Sequence, residues 1–134
     1  MDKIINFFKY IGIYDEEYFQ ELQKNTYFID GEYEEICEFI GCFIKNDDEY
    51  RIMLPIMKTD FEVLIGIHEY THMLFLDDNS EIFPNLMEAI YINNFIDDIS
   101  IKKQMFNMTK EQLDRAVDQN HIIGKKVKIN SIKI

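Results

Sequence analysis

Residues 61–75 constrain the fold most strongly, because their apolar side chains recur at the spacing of a helix that Thr59 or the next residue can cap. Within this predicted helix the residues His-Glu-Tyr-Thr-His occupy positions 68–72. Side chains four residues apart lie one turn apart on the same helix face. His68 and His72 therefore project together, and the rest of the chain has to pack around a helix that presents two neighbouring imidazoles.

The two histidines have the spacing of a metal-binding pair. Two imidazoles on one helix face can hold a single Zn²⁺, each at about 2.0–2.1 Å. Glu69 projects about a quarter-turn away from His68, so we expect it not to ligate. Its carboxylate can instead accept a proton from a metal-activated water that attacks a carbonyl group. The alternative, two helix histidines beside a solvated glutamate, fits less well because apolar residues flank the motif.

A catalytic zinc site needs a third protein ligand and an open position. The residues Asp-Asp-Asn-Ser at 77–80 predict a short break, after which a second helix returns past the first. Glu81, Asn85 and Glu88 share one face of this second helix. We expect one glutamate to ligate the metal and the other, with Asn85, to support the ligands through hydrogen bonds. In the alternative, both glutamates are solvated helix carboxylates in an acidic chain.

The segment SEIFPNLMEAIY, residues 80–91, resembles the sequence that follows the zinc helix in the thimet oligopeptidase and oligoendopeptidase F family. The resemblance extends over residues 64–92 and implies that Glu81 is the third zinc ligand and that Glu88 supports it. The chain departs from that family in having only eight residues between the second histidine and Glu81. It also lacks the Tyr-rich substrate-binding segment of the family.

The chain as a whole resembles a minimal gluzincin, a zinc peptidase with H-E-x-x-H on one helix and a ligand glutamate on the next. Glu88-Ala89 is similar to the Glu-Ala pair that opens the ligand helix of antitoxin-associated peptidases of the ImmA type. The return of the second helix also brings Glu88 nearer than Glu81 to the level of His68. Glu81 is the predicted third ligand, and Glu88 is kept as the alternative.

Peptide hydrolysis also needs a hydrogen-bond donor for the oxyanion of the tetrahedral intermediate. His121, at the predicted end of the last helix, is a weak candidate, since a histidine there also suits the helix dipole. Tyr10, Tyr70 and Tyr91 are alternatives that the sequence does not rank. The methionines and phenylalanines are expected in the core rather than in a binding groove.

The remaining patterns predict a small, helix-rich α+β domain of zinc-peptidase type, with an antiparallel sheet or hairpin and two consecutive helices that carry the metal site. Two helices are predicted within the first 24 residues, the second capped by Asp15. Residues 33–45 fit either a helix or a buried strand. Residues 50–56 predict a strand that Pro55 places at a sheet edge, where an extended peptide could pair with it.

Further helices are predicted after the metal site. Ser80 can cap the second site helix, predicted over about residues 81–101. A capping-box pattern at Thr109 starts a last helix that ends near residue 120. The Lys-rich tail after Gly124 favours a further strand, because apolar residues alternate with lysines there.

Composition narrows the function classes. The 134 residues are predicted to form a single domain, 1–134, because the chain is 47% hydrophobic and has only five glycines and two prolines. A net charge of −11 argues against nucleic acid and anionic membranes as partners. No apolar run approaches the roughly 18 residues of a membrane-spanning helix. Cys37 and Cys42 match no redox or zinc pattern, so free thiols and a cytoplasmic location are expected.

Together these features predict a zinc-dependent metallopeptidase that hydrolyses a peptide or protein substrate by metal-activated water, with Glu69 as general base. The alternative is a non-catalytic or latent zinc-binding module that binds or senses a partner protein. In a latent enzyme the N-terminal or the C-terminal tail would lie in the cleft, and the Lys-rich tail after Gly124 could do so against an acidic site. Glu69 favours the enzyme, because a module that only binds zinc has no use for a base at that position.

Overall fold

A computed structural model of the chain describes residues 1–46, 48–78, 80–122 and 132–133. These residues belong to two compact units: unit 1 contains residues 1–66 and 133, and unit 2 contains residues 67–122 and 132. The predicted α+β class is confirmed, since six α-helices and a mixed sheet make up the regular structure of the described residues. The single domain over 1–134 stays a prediction.

Unit 1 begins with two short helices, α1 (Asp2–Tyr10) and α2 (Glu16–Lys24). The predicted cap of α2 is confirmed, because a carboxylate oxygen of Asp15 accepts a hydrogen bond from a backbone N–H in the first turn at 3.0 Å. Phe8 of α1 and Phe19 of α2 are fully buried, and their ring centroids are 5.3 Å apart. The apolar faces of both helices therefore contribute to the core of this unit.

The Asp15 cap leads to a stability prediction. Asp15→Ala is expected to lower the free energy of unfolding by about 1 kcal/mol, because the first turn of α2 loses its side-chain acceptor. Asp15→Asn keeps a comparable acceptor and is expected to unfold at nearly the wild-type urea concentration. Urea unfolding followed by circular dichroism measures both variants, and equal losses from alanine and asparagine would contradict the capping role.

The chain forms one mixed sheet from the strands β1 (Thr26–Ile29), β2 (Gly41–Asn46), β3 (Glu49–Pro55) and β4 (Ile132–Lys133). Their order in the sheet is β1-β3-β2-β4. β1 runs parallel to β3, with Thr26 opposite Ile52, and β2 runs antiparallel to β3, with Cys42 opposite the same residue. β2 and β3 follow each other in sequence, so the predicted antiparallel hairpin is confirmed.

The ambiguous residues 33–45 divide between helix and strand. The short helix α3 (Tyr33–Ile36) and a 3-10 helix (Cys37–Phe39) precede β2. Gly41, the first residue of β2, has a φ of 147°, a conformation that L side chains rarely adopt. The glycine therefore allows the chain to turn from helical geometry into the strand within two residues.

β3 is an inner strand, so the expectation that residues 50–56 form a sheet edge open to an extended peptide is wrong. Pro55 is the last residue of β3 and lies opposite Ile29 of β1. The next residue, Ile56, donates its backbone N–H to the carbonyl oxygen of Ile29 at 3.1 Å. The proline is tolerated because its missing N–H falls at the end of the strand and not inside the hydrogen-bond ladder.

The helix that carries the histidines, α4 (Asp60–Leu74), begins at a capping box. The Thr59 hydroxyl accepts a hydrogen bond from the backbone N–H of Phe61 at 3.2 Å, and the Glu62 carboxylate accepts one from the backbone N–H of Thr59 at 2.6 Å. Thr59 is therefore confirmed as the predicted cap. The boundary of the two units falls inside α4, after Gly66, so the histidines belong to unit 2.

Unit 2 continues with α5 (Ile82–Phe95) and α6 (Ile99–Ile122), which pack against each other. The Ser80 hydroxyl accepts a hydrogen bond from the first backbone N–H of α5 at 3.4 Å, but the N-cap position is occupied by Glu81 and not by the predicted Ser80. The predicted extension of this helix to about residue 101 is wrong. The backbone becomes extended at Ile96, and a carboxylate oxygen of Asp98 accepts a hydrogen bond in the first turn of α6 at 3.0 Å.

The prediction of a separate last helix starting at Thr109 is also wrong, since α6 passes through this residue without interruption. Thr109 is buried in the middle of α6, and a threonine packed inside a helix does not act as its cap. The further strand predicted in the tail lies outside the described residues, apart from the two residues of β4. None of the helices described here is both long and apolar enough to cross a membrane.

Candidate metal centre

The two histidines of α4 lie side by side in unit 2. The ring centroids of His68 and His72 are 5.0 Å apart, and the ring planes are nearly perpendicular. Only 2% of the His72 side chain is exposed, whereas the His68 side chain is one-fifth exposed. One helical turn therefore presents one deeply buried and one accessible imidazole on the same face.

Glu81, the residue that immediately precedes α5, meets both imidazoles. One of its carboxylate oxygens lies 2.6 Å from Nε2 of His68, and the other lies 3.2 Å from Nε2 of His72. The connection between α4 and α5 is short, so its last residue, Glu81, can reach back to the end of α4. The structure thus brings the predicted ligand trio into direct contact.

These three residues fit a metal ion by the spacing of their donor atoms. One ligand atom from each of His68, His72 and Glu81 lies within 4.8 Å of the other two. Ligand atoms at about 2.0–2.1 Å from a tetrahedral zinc ion lie about 3.3 Å from one another. Two imidazole nitrogens and one carboxylate oxygen also form a donor set that suits zinc.

Glu88 contacts the other ring nitrogen of His68. The Nδ1 of His68 donates a hydrogen bond to a carboxylate oxygen of Glu88 at 2.9 Å, and only 6% of Glu88 is exposed. A carboxylate on the far nitrogen of a ligating histidine orients the ring and raises its basicity. This arrangement favours Glu81 as the ligand and Glu88 as the supporting carboxylate, and the assignment stays a prediction for metal-binding experiments.

Asn85 supports the backbone of Glu81. This side chain is buried, and its Nδ2 donates a hydrogen bond to the main-chain carbonyl oxygen of Glu81 at 2.7 Å. Among the described residues, the Asn85 Oδ1 and the His72 Nδ1 are buried without a hydrogen-bond partner. Such atoms are uncommon in protein interiors, and a bound ion is one of the explanations for them.

The contact of Glu88 with His68 predicts a moderate effect on metal affinity. Glu88→Ala is expected to weaken zinc binding about 10–100-fold, because His68 loses the partner that orients its ring. Competition with a chromophoric chelator measures the Kd. Glu111→Ala, an exposed glutamate of α6, serves as the control and should bind zinc like the wild type. Complete loss of zinc from Glu88→Ala would instead identify Glu88 as a ligand.

Electrostatics distinguishes two of the carboxylates around the histidines, Glu69 and Glu81. Burial raises the pKa of Glu69, and this effect outweighs the lowering by the two imidazoles. Burial also opposes ionisation of Glu81, but hydrogen bonds with His68 and His72 lower its pKa overall. Burial by itself lowers the pKa of His68, yet hydrogen bonds to Glu81 and Glu88 raise it well above its ordinary value. Glu81, which contacts both histidines, is therefore strongly ionised, whereas the neighbouring carboxylate of Glu69 is more basic.

The candidates for an oxyanion donor lie in different surroundings. The backbone of His121 belongs to α6, but its side chain lies outside the described residues. Tyr70 and Tyr91 are buried in unit 2, whereas Tyr10 is largely exposed in unit 1. The oxyanion donor therefore stays a prediction with these four candidates.

Sequence reasoning missed one contact beside the cluster. Phe75, three residues after His72, stacks on Phe83, two residues after Glu81. Phenylalanines were expected in the core, yet 39% of Phe83 is exposed. The signal was present in the sequence as a pair of aromatic residues flanking the 77–80 break, each close to a predicted ligand.

No protein-family model, curated protein sequence or solved structure matches the chain. The resemblance to gluzincins therefore depends on the H-E-x-x-H sequence and on the residues around it. Membership in that group of peptidases stays a prediction.

Proposed function

We propose that the chain is a zinc-dependent metallopeptidase. The observation that carries the proposal is the convergence of His68, His72 and Glu81, with donor atoms within 4.8 Å of one another and Glu69 in the same turn of α4. When bound, zinc would supply a Lewis acid that polarises a peptide carbonyl group and lowers the pKa of water. Residues of the chain would hold the metal and transfer the proton.

The ligands are held by a layer of hydrogen bonds. Glu88 fixes the ring of His68 through Nδ1, which directs Nε2 toward Glu81. Asn85 fixes the main chain of Glu81 at the start of α5. Both supporting side chains are buried, so water competes little for these hydrogen bonds. Such support keeps the ligand atoms close to one productive arrangement.

Glu69 is the proposed general base. Its carboxylate is buried, and burial raises its pKa toward the range in which a base works well near neutral pH. Glu69 would accept a proton from the water that attacks the peptide carbonyl carbon. It would then donate that proton to the amide nitrogen as the C–N bond breaks, which returns the carboxylate to its starting state.

The proposed partner is a peptide or a protein segment. A net charge of −11 disfavours nucleic acid and anionic membranes as partners. Neither Cys37 nor Cys42 forms a disulfide in the part of the chain that the structure describes, which suits a reducing compartment, and we propose the cytoplasm.

Metal content and peptide cleavage test the function together. We expect the purified full chain to bind about one zinc ion and to cleave members of a peptide library. Removal of zinc with a chelator should stop cleavage, and added zinc should restore it. Absence of stoichiometric zinc binding would overturn the proposal. Zinc binding without any cleavage would favour the non-catalytic alternative, a module that binds or senses a partner protein.

A further inference from the structure

An exposed aromatic pair lies in the helical hairpin that carries the candidate ligands. The rings of Phe75 and Phe83 stack with centroids 4.9 Å apart and planes 12° from parallel. Phe83 is 39% exposed, and Phe75 is partly exposed. Large apolar rings are normally removed from water, so a stacked pair that reaches the surface is an available contact for another apolar group.

Each phenylalanine of the pair is close in sequence to a different candidate ligand. Phe75 follows His72 by three residues, or about 4.5 Å along the axis of α4. Phe83 follows Glu81 by two residues at the start of α5. The contact of His72 with Glu81 and the contact of the two rings thus tie the same pair of helix ends together. By sequence spacing, the backbone of each phenylalanine therefore lies within about one helical turn of the nearest candidate ligand.

The charge beside the pair disfavours acidic ligands. Asp77 and Asp78 follow Phe75 in the connection between α4 and α5, and both are exposed. A peptide side chain that binds the aromatic rings would therefore gain from apolar contact, while acidic residues next to it would be repelled.

A second stacked aromatic pair lies on α5, and neither of its residues is a candidate metal ligand. Phe95 stacks on Tyr91 with centroids 5.2 Å apart and planes 10° from parallel, and 40% of Phe95 is exposed. The two pairs thus match in stacking geometry, and Phe83 and Phe95 match in exposure, whereas Tyr91 is buried. Phe95 lies seven residues beyond Glu88, or about 10 Å along the axis of α5. Phe95 therefore offers a control of the same residue type and nearly the same exposure outside the ligand cluster.

We propose that Phe75 and Phe83 form the subsite that holds a bulky apolar side chain of the substrate next to the scissile bond. The proposal depends on the peptidase function above and names its substrate class: peptides with an aromatic or large aliphatic residue at that position and no acidic residue beside it. The subsite would determine which substrates bind, and it would not affect metal binding by the ligands.

Cleavage of matched peptide pools tests the subsite. Pools that differ at a single position, with phenylalanine or leucine in one and alanine in the other, are digested by the zinc-loaded full chain. The wild type should prefer the bulky pool, and Phe83→Ala should lower the ratio of bulky to alanine cleavage about tenfold. Phe95→Ala should leave the ratio unchanged. Zinc content measured for each variant should match the wild type.

The outcomes separate the subsite from the peptidase function. A ratio that Phe83→Ala does not change, or that Phe95→Ala lowers equally, overturns the subsite while leaving the function intact. A wild type that binds zinc and cleaves no pool overturns the function, and the subsite with it. If Phe83→Ala does not fold, Phe83→Leu replaces it. That variant should shift the preference from aromatic toward aliphatic side chains, and an unchanged preference would count against the subsite.

Discussion

Glu69→Gln is expected to retain zinc and to lower the rate of peptide cleavage by about 10²–10⁴-fold. Glutamine has nearly the shape of glutamate, so the turn of α4 that carries the histidines should keep its packing. An amide, however, cannot accept a proton from the attacking water or return it to the leaving nitrogen. Because Glu69 is buried, bulk water has little access to replace the lost base.

Rates from chromatography of the digested peptides, with zinc content measured on the same samples, separate this effect from loss of metal. Glu111→Gln, at an exposed position of α6, is the matched control and should cleave like the wild type. Equal rates for the wild type and Glu69→Gln would show that the cleavage comes from a contaminating peptidase. Loss of zinc from Glu69→Gln would instead mean that this glutamate holds the metal.

Local hydrogen bonding made several features of the fold predictable from the sequence. Asp15 and Thr59 cap their helices as expected, because each acceptor side chain needs only backbone N–H groups a few residues away. The β2–β3 hairpin was predictable for the same reason, since its strands are neighbours in sequence.

Features decided by distant contacts were not predictable in the same way. Pro55 suggested a sheet edge, but the parallel pairing of β1 places β3 inside the sheet. Thr109 has the sequence of a cap, but packing buries it inside α6. The apolar periodicity also predicted that the second site helix continues past Ile96. The chain instead becomes extended at Ile96, and a new helix begins after Asp98. Local patterns compete with tertiary packing at such positions, and packing prevails.

The candidate site was likewise predictable only where local geometry decides it. The spacing of His68 and His72 on one face of α4 follows from helix geometry, and so does the shared face of Glu81 and Glu88. The sequence could not assign the two glutamates to different ring nitrogens of His68, because that depends on how α5 is placed against α4. The structure separates them, with Glu81 at Nε2 and Glu88 at Nδ1.

This separation predicts a large difference between the two glutamates in metal binding. Glu81→Ala is expected to weaken zinc affinity about 10²–10³-fold and to leave the purified chain without stoichiometric zinc. Structural zinc sites with four ligands bind with about 10–16 kcal/mol, which is about 2.5–4 kcal/mol for each ligand, and such a loss corresponds to a change in Kd of roughly 10²–10³-fold. Glu81 also bridges both Nε2 atoms, so its removal leaves the two imidazoles without their common partner.

Competition with a chromophoric chelator compares Glu81→Ala with Glu88→Ala under the same conditions. Both variants remove one carboxylate from the same helix face, so nonspecific loss of negative charge affects them alike. The ligand role predicts the larger loss for Glu81→Ala, and the reverse order would make Glu88 the ligand. Circular dichroism of both variants must show the wild-type helix content, because a chain that fails to fold would lose zinc whichever glutamate binds it. Since Glu81 precedes α5 and its side chain does not cap that helix, its replacement should leave the helix intact.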